Sequence, residues 1–369
     1  MLGNARYLFL WLRLYRPDIA AAWITEDDRT ARLLTDAGYA AYQRWSLRGM
    51  WATMRSRVFV FCHSMSDINE HLSGGAYLLN LWHGVGIKAI MLGHKTGLMA
   101  HYSKYRRVPL AKLLFLDYFT QPDVVVTTSE FMRRHFAQQF QLPPERCPIL
   151  GYSRMDACLD RKLSQSSIAL DEQSGFTFPA GQFAEYYLYM PTWRDTARPF
   201  LDEALPDLAR LSALLKARDA VLLLKLHPYT AAKFQSSFDN IIAWPSDVEV
   251  YSYLDRIDCL ITDYSSILYD FLYISGKGII LYTFDLEEYV STDRAMLYPF
   301  DENTVGLRVG DFETLCRAVE DGSGLREPPD ASQLREKFWG EGTRLASPTI
   351  VDFVSQAIGG LPRSEERAS

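Results

Sequence analysis

The sequence predicts an α/β protein with two domains, each containing a parallel sheet. Short apolar runs alternate with amphipathic stretches along the whole chain, once on each side of a polar stretch at 160–184. Two of the runs, AVLLLKL and GIILY, are continuously apolar, which is typical of parallel strands covered on both faces. A chain of 369 residues also exceeds the size of most single cores, so two α/β units are expected.

In the first half, the apolar runs predict strands and the stretches between them predict helices. We expect strands at Ala21–Thr25, Val58–Cys62, Ala76–Leu81, Val124–Thr127 and Pro148–Leu150, and helices at Arg29–Ala37 and Glu130–Phe140. Thr127 and Glu130 have the spacing of a capping box, and Ser129 is an alternative N-cap for the second of these helices.

The second half repeats the alternation. We expect strands at Tyr186–Met190, Ala220–Leu226, Ile241–Trp244, Cys259–Thr262 and Gly278–Tyr282, and helices at Leu205–Ala217, Ser265–Ile274 and Phe312–Asp321. A final helix is expected over Pro348–Ile358, with Ser347 as its cap and Pro348 at its first position. The predicted domains are therefore residues 1–160 and 185–345, followed by a C-terminal helix and tail at 346–369.

The composition excludes several classes of protein. Apolar residues make up 48% and charged residues 23% of the chain, which excludes a disordered protein, and no apolar run is long enough for a membrane span. A net charge of −6 disfavours a nucleic-acid binder. The five cysteines lack C-x-x-C spacing, so neither a zinc site nor a disulfide framework is indicated. Arg13 interrupts the first apolar stretch and no cleavage site follows, so we expect the protein inside the cell.

Two segments, 1–16 and 101–112, are basic and rich in aromatic residues. Segments of this kind can lie on an anionic membrane surface, and we expect that role for both. The alternative is a first helix packed on the core and a solvated basic loop.

The first candidate site is the stretch from Trp82 to Lys88, where a predicted strand ends in His83, Gly84 and a second glycine. Ligands of open parallel sheets bind beyond the carboxyl ends of the strands. A neutral imidazole there can accept a proton, and Lys88 could hold an anion. The alternative is a structural histidine in a tight turn.

Two more strand ends carry polar residues. Lys225 and His227 follow one strand. An isolated buried lysine would require an anion nearby. The alternative for His227 is a core histidine with its hydrogen bonds satisfied. Another strand ends at Thr262 and leads into Ser265 and Ser266 at a helix start, which suits a phosphate unless the serines only cap the helix.

Further strand-end residues are Thr192, Trp193 and Arg194, with Arg154 near the end of the first domain. They offer an aromatic plane and guanidinium groups for phosphate, although such arginines are often surface ion pairs. The chain has no D-x-D pair, Walker loop, G-x-S-x-G or full G-x-G-x-x-G, which disfavours kinases, hydrolases and dinucleotide oxidoreductases.

The ordered motifs resemble those of the CDP-glycerol glycerophosphotransferase family, which contains teichoic-acid primases and polymerases and related capsule polymerases. They are W-H-G…K, T-S-E, G-Y-S-R-M-D, Y-M-P-T-W-R-D, K-L-H-P and D-C-L-I-T-D-Y-S-S-I-L-Y-D, over roughly residues 20–340. The resemblance implies a GT-B fold, with two Rossmann-like domains whose parallel sheets face a central crevice. Gly86 and Ser153 depart from the family pattern, which has proline at both positions.

The resemblance also implies transfer of glycerol phosphate, or a related polyol phosphate, from CDP-glycerol to an acceptor hydroxyl, with release of CMP. The acceptor would be a lipid-linked glycan or polyol-phosphate polymer, at the inner face of the bacterial cytoplasmic membrane. No cofactor or bound metal is implied, and dependence on magnesium is left open. The implied roles are catalysis by His83 and His227, donor binding by Thr192, Arg194, Lys225, Thr262, Ser265 and Ser266, and acceptor contacts by Gly84, Lys88 and Arg154.

Two other functions fit the same motifs. A GT-B glycosyltransferase would use a nucleotide sugar, and its choice of donor would distinguish it. A non-catalytic nucleotide sensor or scaffold on the membrane is the other, but it would not need histidines at two strand ends.

Overall fold

The computed structural model describes residues 1–88, 120–194, 200–231, 234, 237–292 and 296–359. The chain divides into two compact units. Unit 1 consists of Met1–His83, Ile90–Gly175 and Gly340–Ser369, and unit 2 consists of Gly84–Ala89 and Phe176–Trp339. The basic segment 101–112 lies outside the described residues. In the part of the chain that the structure describes, no helix is long and apolar enough to span a membrane.

Unit 1 has small parallel sheets flanked by helices. Its helices are α1 (Gly3–Tyr15), α2 (Asp28–Asp36), α3 (Leu47–Met54), α4 (Glu130–Phe140) and α5 (Arg161–Gln173), with 3₁₀ turns at Met65–Asp67, Glu70–Leu72, Pro144–Arg146 and Ser153–Cys158. Its strands are β1 (Trp23–Thr25), β2 (Ala41–Gln43), β3 (Val58–Phe61), β4 (Tyr77–Asn80) and β5 (Val124–Val125). β1 pairs with β2, and β3, β4 and β5 form a second sheet in that order, all in parallel.

Unit 2 is built on one parallel sheet of six strands in the order β11-β10-β9-β6-β7-β8. The strands are β6 (Glu185–Tyr189), β7 (Ala220–Leu224), β8 (Ile241–Ala243), β9 (Cys259–Thr262), β10 (Gly278–Tyr282) and β11 (Leu307–Val309). The helices are α6 (Leu201–Ala204), α7 (Leu208–Ala217), α8 (Pro228–Ala231), α9 (Ile267–Leu272), α10 (Leu286–Thr292), α11 (Phe312–Asp321) and α12 (Ala331–Trp339), with 3₁₀ turns at Leu254–Arg256 and Ser323–Leu325.

The strand order of unit 2 reverses between β6 and β9. Successive strands are added on one side of β6 as far as β8, and the chain then returns to place β9 on its other side. β7, β9 and β10 are buried along their whole length, which explains their continuous apolar sequences. Ligands of open parallel sheets bind beyond the carboxyl ends of the strands at such a switch point. The fold therefore predicts a ligand site after β6 and β9.

Helix α1 belongs to the core of unit 1. Its buried residues are Asn4, Arg6, Tyr7, Leu8, Phe9, Leu10 and Trp11. The Arg6 guanidinium pairs with the Asp171 carboxylate of α5 at 2.8 Å, and both side chains are buried. Most apolar side chains of α1 are covered by the protein, but Leu2, Leu14 and Tyr15 are exposed. Contact of segment 1–16 with a membrane surface therefore stays a prediction.

Several predicted elements differ from the observed ones. Pro148–Leu150 is not a strand, since only Ile149 forms a bridge, to Thr127. The polar stretch 160–184 is not merely a linker, because it contains the thirteen-residue helix α5. The short strands β2 and β11 were not expected.

The cap of α4 distinguishes between the two sequence interpretations. The Ser129 hydroxyl accepts a hydrogen bond from the Met132 backbone N–H at 3.2 Å, which is the N-cap contact. The Thr127 hydroxyl instead donates to the Pro148 carbonyl at 3.0 Å. Ser129 is therefore the cap, and the capping box is not formed.

The last helix, α13 (Ala346–Ala357), belongs to unit 1, where its first residues are bonded to Asp156. The two Asp156 carboxylate oxygens accept from the backbone N–H groups of Ala346 and Ser347, at 2.7 and 2.8 Å. Pro348 is the third helical residue and not the first, which corrects the expected start. It is tolerated because the N–H at that position has no partner within the helix.

Replacing Asp156 with alanine should destabilise unit 1 by about 2–4 kcal/mol, because two buried N–H groups lose a charged acceptor. Urea unfolding measures the loss, and hydrogen exchange should show faster exchange across α13. Asp27→Ala is the control, since Asp27 caps α2 at the surface and its loss should cost about 1 kcal/mol. Equal losses for the two variants would contradict this account of α13.

Candidate active site

The carboxyl ends of β6 and β9 are joined by a buried ion network. The Arg194 guanidinium donates to Asp285 at 2.8 Å through both Nε and Nη2, and its Nη1 donates to Asp263 at 2.9 Å. All three side chains are at most 2% exposed. Burial alone lowers the pKa of Arg194, but the two carboxylates outweigh it and hold the pKa above its ordinary value.

This network changes the role expected for Arg194. The guanidinium also donates to the Thr192 carbonyl at 2.7 Å and lies over the ring of Phe200. The Asp263 carboxylate accepts from the Thr192 N–H at 2.8 Å, so the pair fixes both backbone groups of that residue. Arg194 shapes the turn after β6 and does not present its charge to a phosphate, which corrects the sequence expectation.

Lys225 and Thr262 are likewise used by the fold. The Lys225 ammonium donates to the carbonyls of Pro245, Ser246 and Val248 at 2.6, 2.9 and 2.8 Å. These oxygens replace the anion that the sequence argument required. The Thr262 hydroxyl is fully buried and donates to the Met190 carbonyl at 2.8 Å. Neither residue is placed to bind a phosphate directly.

Two of the expected donor-binding residues, Ser265 and Ser266, are accessible to solvent. Ser266 is exposed and Ser265 half-buried, at the start of α9. Ser266 occupies the N-cap position, but no side chain caps the helix. The alternative interpretation, in which the serines serve only as helix caps, is therefore not supported. Thr192 lies after β6, the strand next to β9 in the sheet. Its hydroxyl is buried without a hydrogen-bond partner among the described residues.

Trp193 and His227 form an aromatic pair after β6 and β7. Their rings are stacked at 4.4 Å with an interplanar angle of 27°. His227 is exposed, so it is not a core histidine, and partial burial lowers the pKa of its imidazole. A neutral imidazole beside an indole offers a flat face together with hydrogen-bonding nitrogen atoms.

The glycine-rich stretch after His83 belongs to unit 2. A Cβ added to Gly86 would lie 3.9 Å from the Ser266 Cβ and 3.8 Å from the Tyr269 ring. The Lys88 ammonium donates to the Tyr289 hydroxyl at 2.7 Å. Gly84 and Lys88 were assigned to the acceptor side with the first domain, and the structure groups them with unit 2 instead.

His83 itself belongs to unit 1 and follows an unusual turn. Trp82 has a φ of 54°, a left-handed conformation that is rare for a residue with a bulky side chain. The His83 ring lies between the rings of Trp82 and His63, at centroid distances of 4.1 and 4.2 Å. The Arg154 guanidinium is buried and donates to the His83 carbonyl at 2.7 Å. Arg154 therefore supports this turn, and it is not exposed to an acceptor as expected.

Hydrogen bonding defines which ring nitrogen of His83 can act as a base. Nδ1 lies 3.1 Å from the Cys62 carbonyl oxygen, which can only accept, so Nδ1 carries the proton. Nε2 then has the lone pair. The side chain reaches solvent, although the protein packed around it, together with His63 and Arg154, lowers the pKa of His83 to about 3. The imidazole is neutral at physiological pH, as a general base must be.

His63 and Asp67 were missed by the sequence analysis. The Asp67 carboxylate accepts from the N–H groups of Cys62 and His63, at 3.0 and 2.9 Å, and lies 3.7 Å from the His63 ring. These bonds hold His63 against His83. No motif surrounds His63, and a histidine directly after a predicted strand was the only signal available.

A cavity of about 720 Å³ lies within unit 1 beside His63. The cavity is bounded by β1 and β3. In the described residues β1 pairs only with β2, and β3 pairs only with β4. Its walls are mainly apolar and include Leu8, Phe9, Leu12, Ile24, Val58, Val60, Val351 and Val354. The volume is within the range of small-molecule sites. The described part of the chain contains no cluster of three potential metal ligands.

Each unit has a parallel sheet flanked by helices, and polar side chains follow the ends of its strands, which agrees with the GT-B fold class. Residues 1–340 match the family model described as CDP-glycerol:poly(glycerophosphate) glycerophosphotransferase, and the chain belongs to that family.

Related proteins agree with this assignment. The chain is 24% identical to the teichoic acid poly(glycerol phosphate) polymerase of Bacillus subtilis, over 96% of this chain and 47% of the relative. It is 27% identical to the teichoic acid ribitol-phosphate primase of Bacillus spizizenii, over 54% of this chain and 50% of the relative. It spans about half the length of these relatives. A structure of the wall teichoic acid polymerase TagF with CDPG superposes with a TM-score of 0.71 and 20% identity, over 97% of this chain and 85% of that one, and shows the same fold.

Replacing Arg194 with methionine should destabilise unit 2 by about 3–5 kcal/mol, because two buried carboxylates lose their counter-charge. Chemical unfolding followed by hydrogen exchange in unit 2 measures the effect. Arg210→Met is a matched control in the same unit, since Arg210 pairs with Glu313 at the surface and should contribute about 0–1 kcal/mol. If both variants lost the same stability, the buried network would not be the main constraint at this edge.

The His83 ring should stay neutral from about pH 5 to pH 8, because its pKa is lowered to about 3 from an ordinary 6.5. The Cε1 chemical shift of labelled histidine reports this, with His83→Gln to assign the signal. Since only the unfolded chain takes up the proton below pH 6.5, acidification should destabilise the wild type more than His83→Gln. A His83 signal titrating near pH 6.5 would contradict the geometry.

Proposed function

We propose that this protein transfers a polyol phosphate, with glycerol phosphate as the first candidate, from its CDP-activated form to an acceptor hydroxyl. The family assignment supports the donor. The observation that carries the mechanism is the bond from His83 Nδ1 to the Cys62 carbonyl, which leaves Nε2 as the proton acceptor. The relatives that make glycerol-phosphate and ribitol-phosphate polymers support a polyol phosphate as the transferred group.

The proposed reaction is a single displacement at phosphorus. The acceptor hydroxyl oxygen forms a bond to the phosphorus that bears the polyol, and the bond from that phosphorus to the bridging oxygen of the diphosphate breaks. His83 Nε2 takes the hydroxyl proton, and the electron pair of the broken bond leaves with CMP. Positioning and stabilisation of charge supply most of the rate in such transfers.

Unit 2 is proposed to bind the CDP part of the donor. The hydroxyls of Ser265 and Ser266 and the buried Thr192 hydroxyl can donate to phosphate oxygens. The Trp193–His227 pair offers a stacking face or a phosphate contact. Arg194 contributes by holding the turn that carries Thr192 and Trp193.

Unit 1 is proposed to bind the acceptor. The apolar cavity lies beside His63, whose ring stacks on His83, so a molecule entering it would lie close to the base. Its lining suits an acceptor with an apolar portion, as a lipid-linked acceptor has. The protein would then work at the inner face of the cytoplasmic membrane, in the synthesis of a teichoic-acid-type or capsular polymer.

The test is a transfer assay with CDP-glycerol, CDP-ribitol and UDP- or GDP-sugars, following the nucleotide released. We expect CMP from a CDP-polyol. His83→Ala should lower kcat by about 10²–10⁴-fold with donor affinity unchanged, because the base does not touch cytidine. Ser265→Ala combined with Ser266→Ala should weaken donor binding.

His71→Ala is the matched control, since His71 is an exposed histidine of unit 1 away from the cavity and should leave the rate unchanged. Release of UDP or GDP would favour a nucleotide-sugar transferase and overturn the donor assignment. Activity of His83→Ala within a few-fold of wild type would exclude His83 as the base and make His227 the next candidate.

A further inference from the structure

Three successive carbonyl groups beyond β4 are held by side chains. The carbonyls of Leu81 and Trp82 accept from the Asn4 side-chain Nδ2 at 3.1 and 2.9 Å. The His83 carbonyl accepts from Arg154. Because buried carbonyls need partners, these bonds determine the path of the turn that carries His83.

The Asn4 amide is fully used in this arrangement. Both of its N–H groups donate to the turn, its Oδ1 accepts from the Arg154 backbone N–H at 3.2 Å, and the residue is 0% exposed. The Asn4 main-chain carbonyl accepts separately from the Ser153 hydroxyl at 2.6 Å. The Asn4 side chain therefore contacts the turn and the Arg154 backbone, whereas its main-chain carbonyl contacts the Ser153 hydroxyl.

The turn that Asn4 holds is strained at Trp82, whose φ is 54°. A left-handed residue of this kind costs about 1–3 kcal/mol and persists only where surrounding contacts require it. If the two carbonyl bonds were lost, the backbone at Trp82 could relax. His83 is the next residue, so its ring would move away from the Cys62 carbonyl and from the ring of His63.

We propose that Asn4 is a positioning residue for His83. This proposal rests on the proposed function, in which His83 Nε2 takes the proton of the acceptor hydroxyl. An amide is required at this position because it supplies two N–H donors toward two carbonyls and one acceptor toward an N–H. A carboxylate of the same shape would instead direct an oxygen at the carbonyl oxygens.

The experiment compares Asn4→Asp and Asn4→Ser with Ser153→Ala in the full chain. Asn4→Asp keeps the shape and removes the donors, and Asn4→Ser keeps one donor and provides a second variant. Ser153→Ala is the matched control, because it loosens the docking of α1 without touching the turn. Thermal unfolding confirms that each variant is folded.

We expect Asn4→Asp to lower kcat by about 10²-fold with the KM values for donor and acceptor within about two-fold. Asn4→Ser should fall between Asn4→Asp and wild type. The ¹⁵N shifts of the His83 ring should lose the pattern of a proton fixed on Nδ1. Ser153→Ala should keep kcat within a few-fold of wild type and should keep the ring pattern.

Wild-type kcat and an unchanged His83 ring pattern in folded Asn4→Asp or Asn4→Ser would overturn the proposal. So would a loss of kcat in Ser153→Ala equal to that in Asn4→Asp, because Asn4 would then act only by docking α1. The proposed function is tested separately by His83→Ala. If that variant stays active, the base is wrong, while the ring pattern still decides whether Asn4 controls the His83 side chain.

Discussion

The structure depends on one constraint: backbone groups that leave a buried parallel sheet must still find hydrogen-bond partners. Beyond the ends of its strands, the neighbouring strand no longer supplies partners for the backbone groups. Side chains meet this need in both units. Lys225 bonds three carbonyls of the 245–248 loop, Thr262 bonds Met190, and Arg194 with Asp263 bonds both backbone groups of Thr192. In unit 1, Asn4 and Arg154 do the same for the turn that carries His83.

This constraint explains which site residues could be predicted from the sequence. Apart from Pro148–Leu150, the predicted strands end within two residues of the observed ends, since continuous apolar runs mark them. The partners of those residues could not be read. A lysine after a buried strand does need acceptors nearby, and for Lys225 carbonyl oxygens some twenty residues later supply them. Asp263 and Asp285 meet at Arg194 only because the sheet brings the ends of separate strands together.

The fold was predictable to the extent that burial leaves a pattern. The bounds of β9, β10, α4 and α11 agree with the sequence analysis, and each of these elements has a clear apolar run or cap. β11 has two exposed residues among its three, so no such pattern exists there. In segment 1–16, composition alone does not determine where Arg6 lies. Arginine beside aromatic residues suits a membrane surface or a core equally. Arg6 is buried because it pairs with Asp171, which lies far away in the sequence.

Among the described strand-end residues discussed above, those outside these networks are neutral groups: the imidazoles of His83 and His227, the hydroxyls of Ser265 and Ser266, and the Trp193 indole. Among them His83 combines solvent access with a pKa of about 3, which keeps it unprotonated but makes it a weak base alone. A nearby negative charge raises the pKa of an imidazole, because it stabilises the protonated form. An anionic group of a substrate bound beside His83 would therefore strengthen the base. In that arrangement the substrate supplies the charge, and the protein supplies a fixed tautomer through Cys62 and a fixed turn through Asn4.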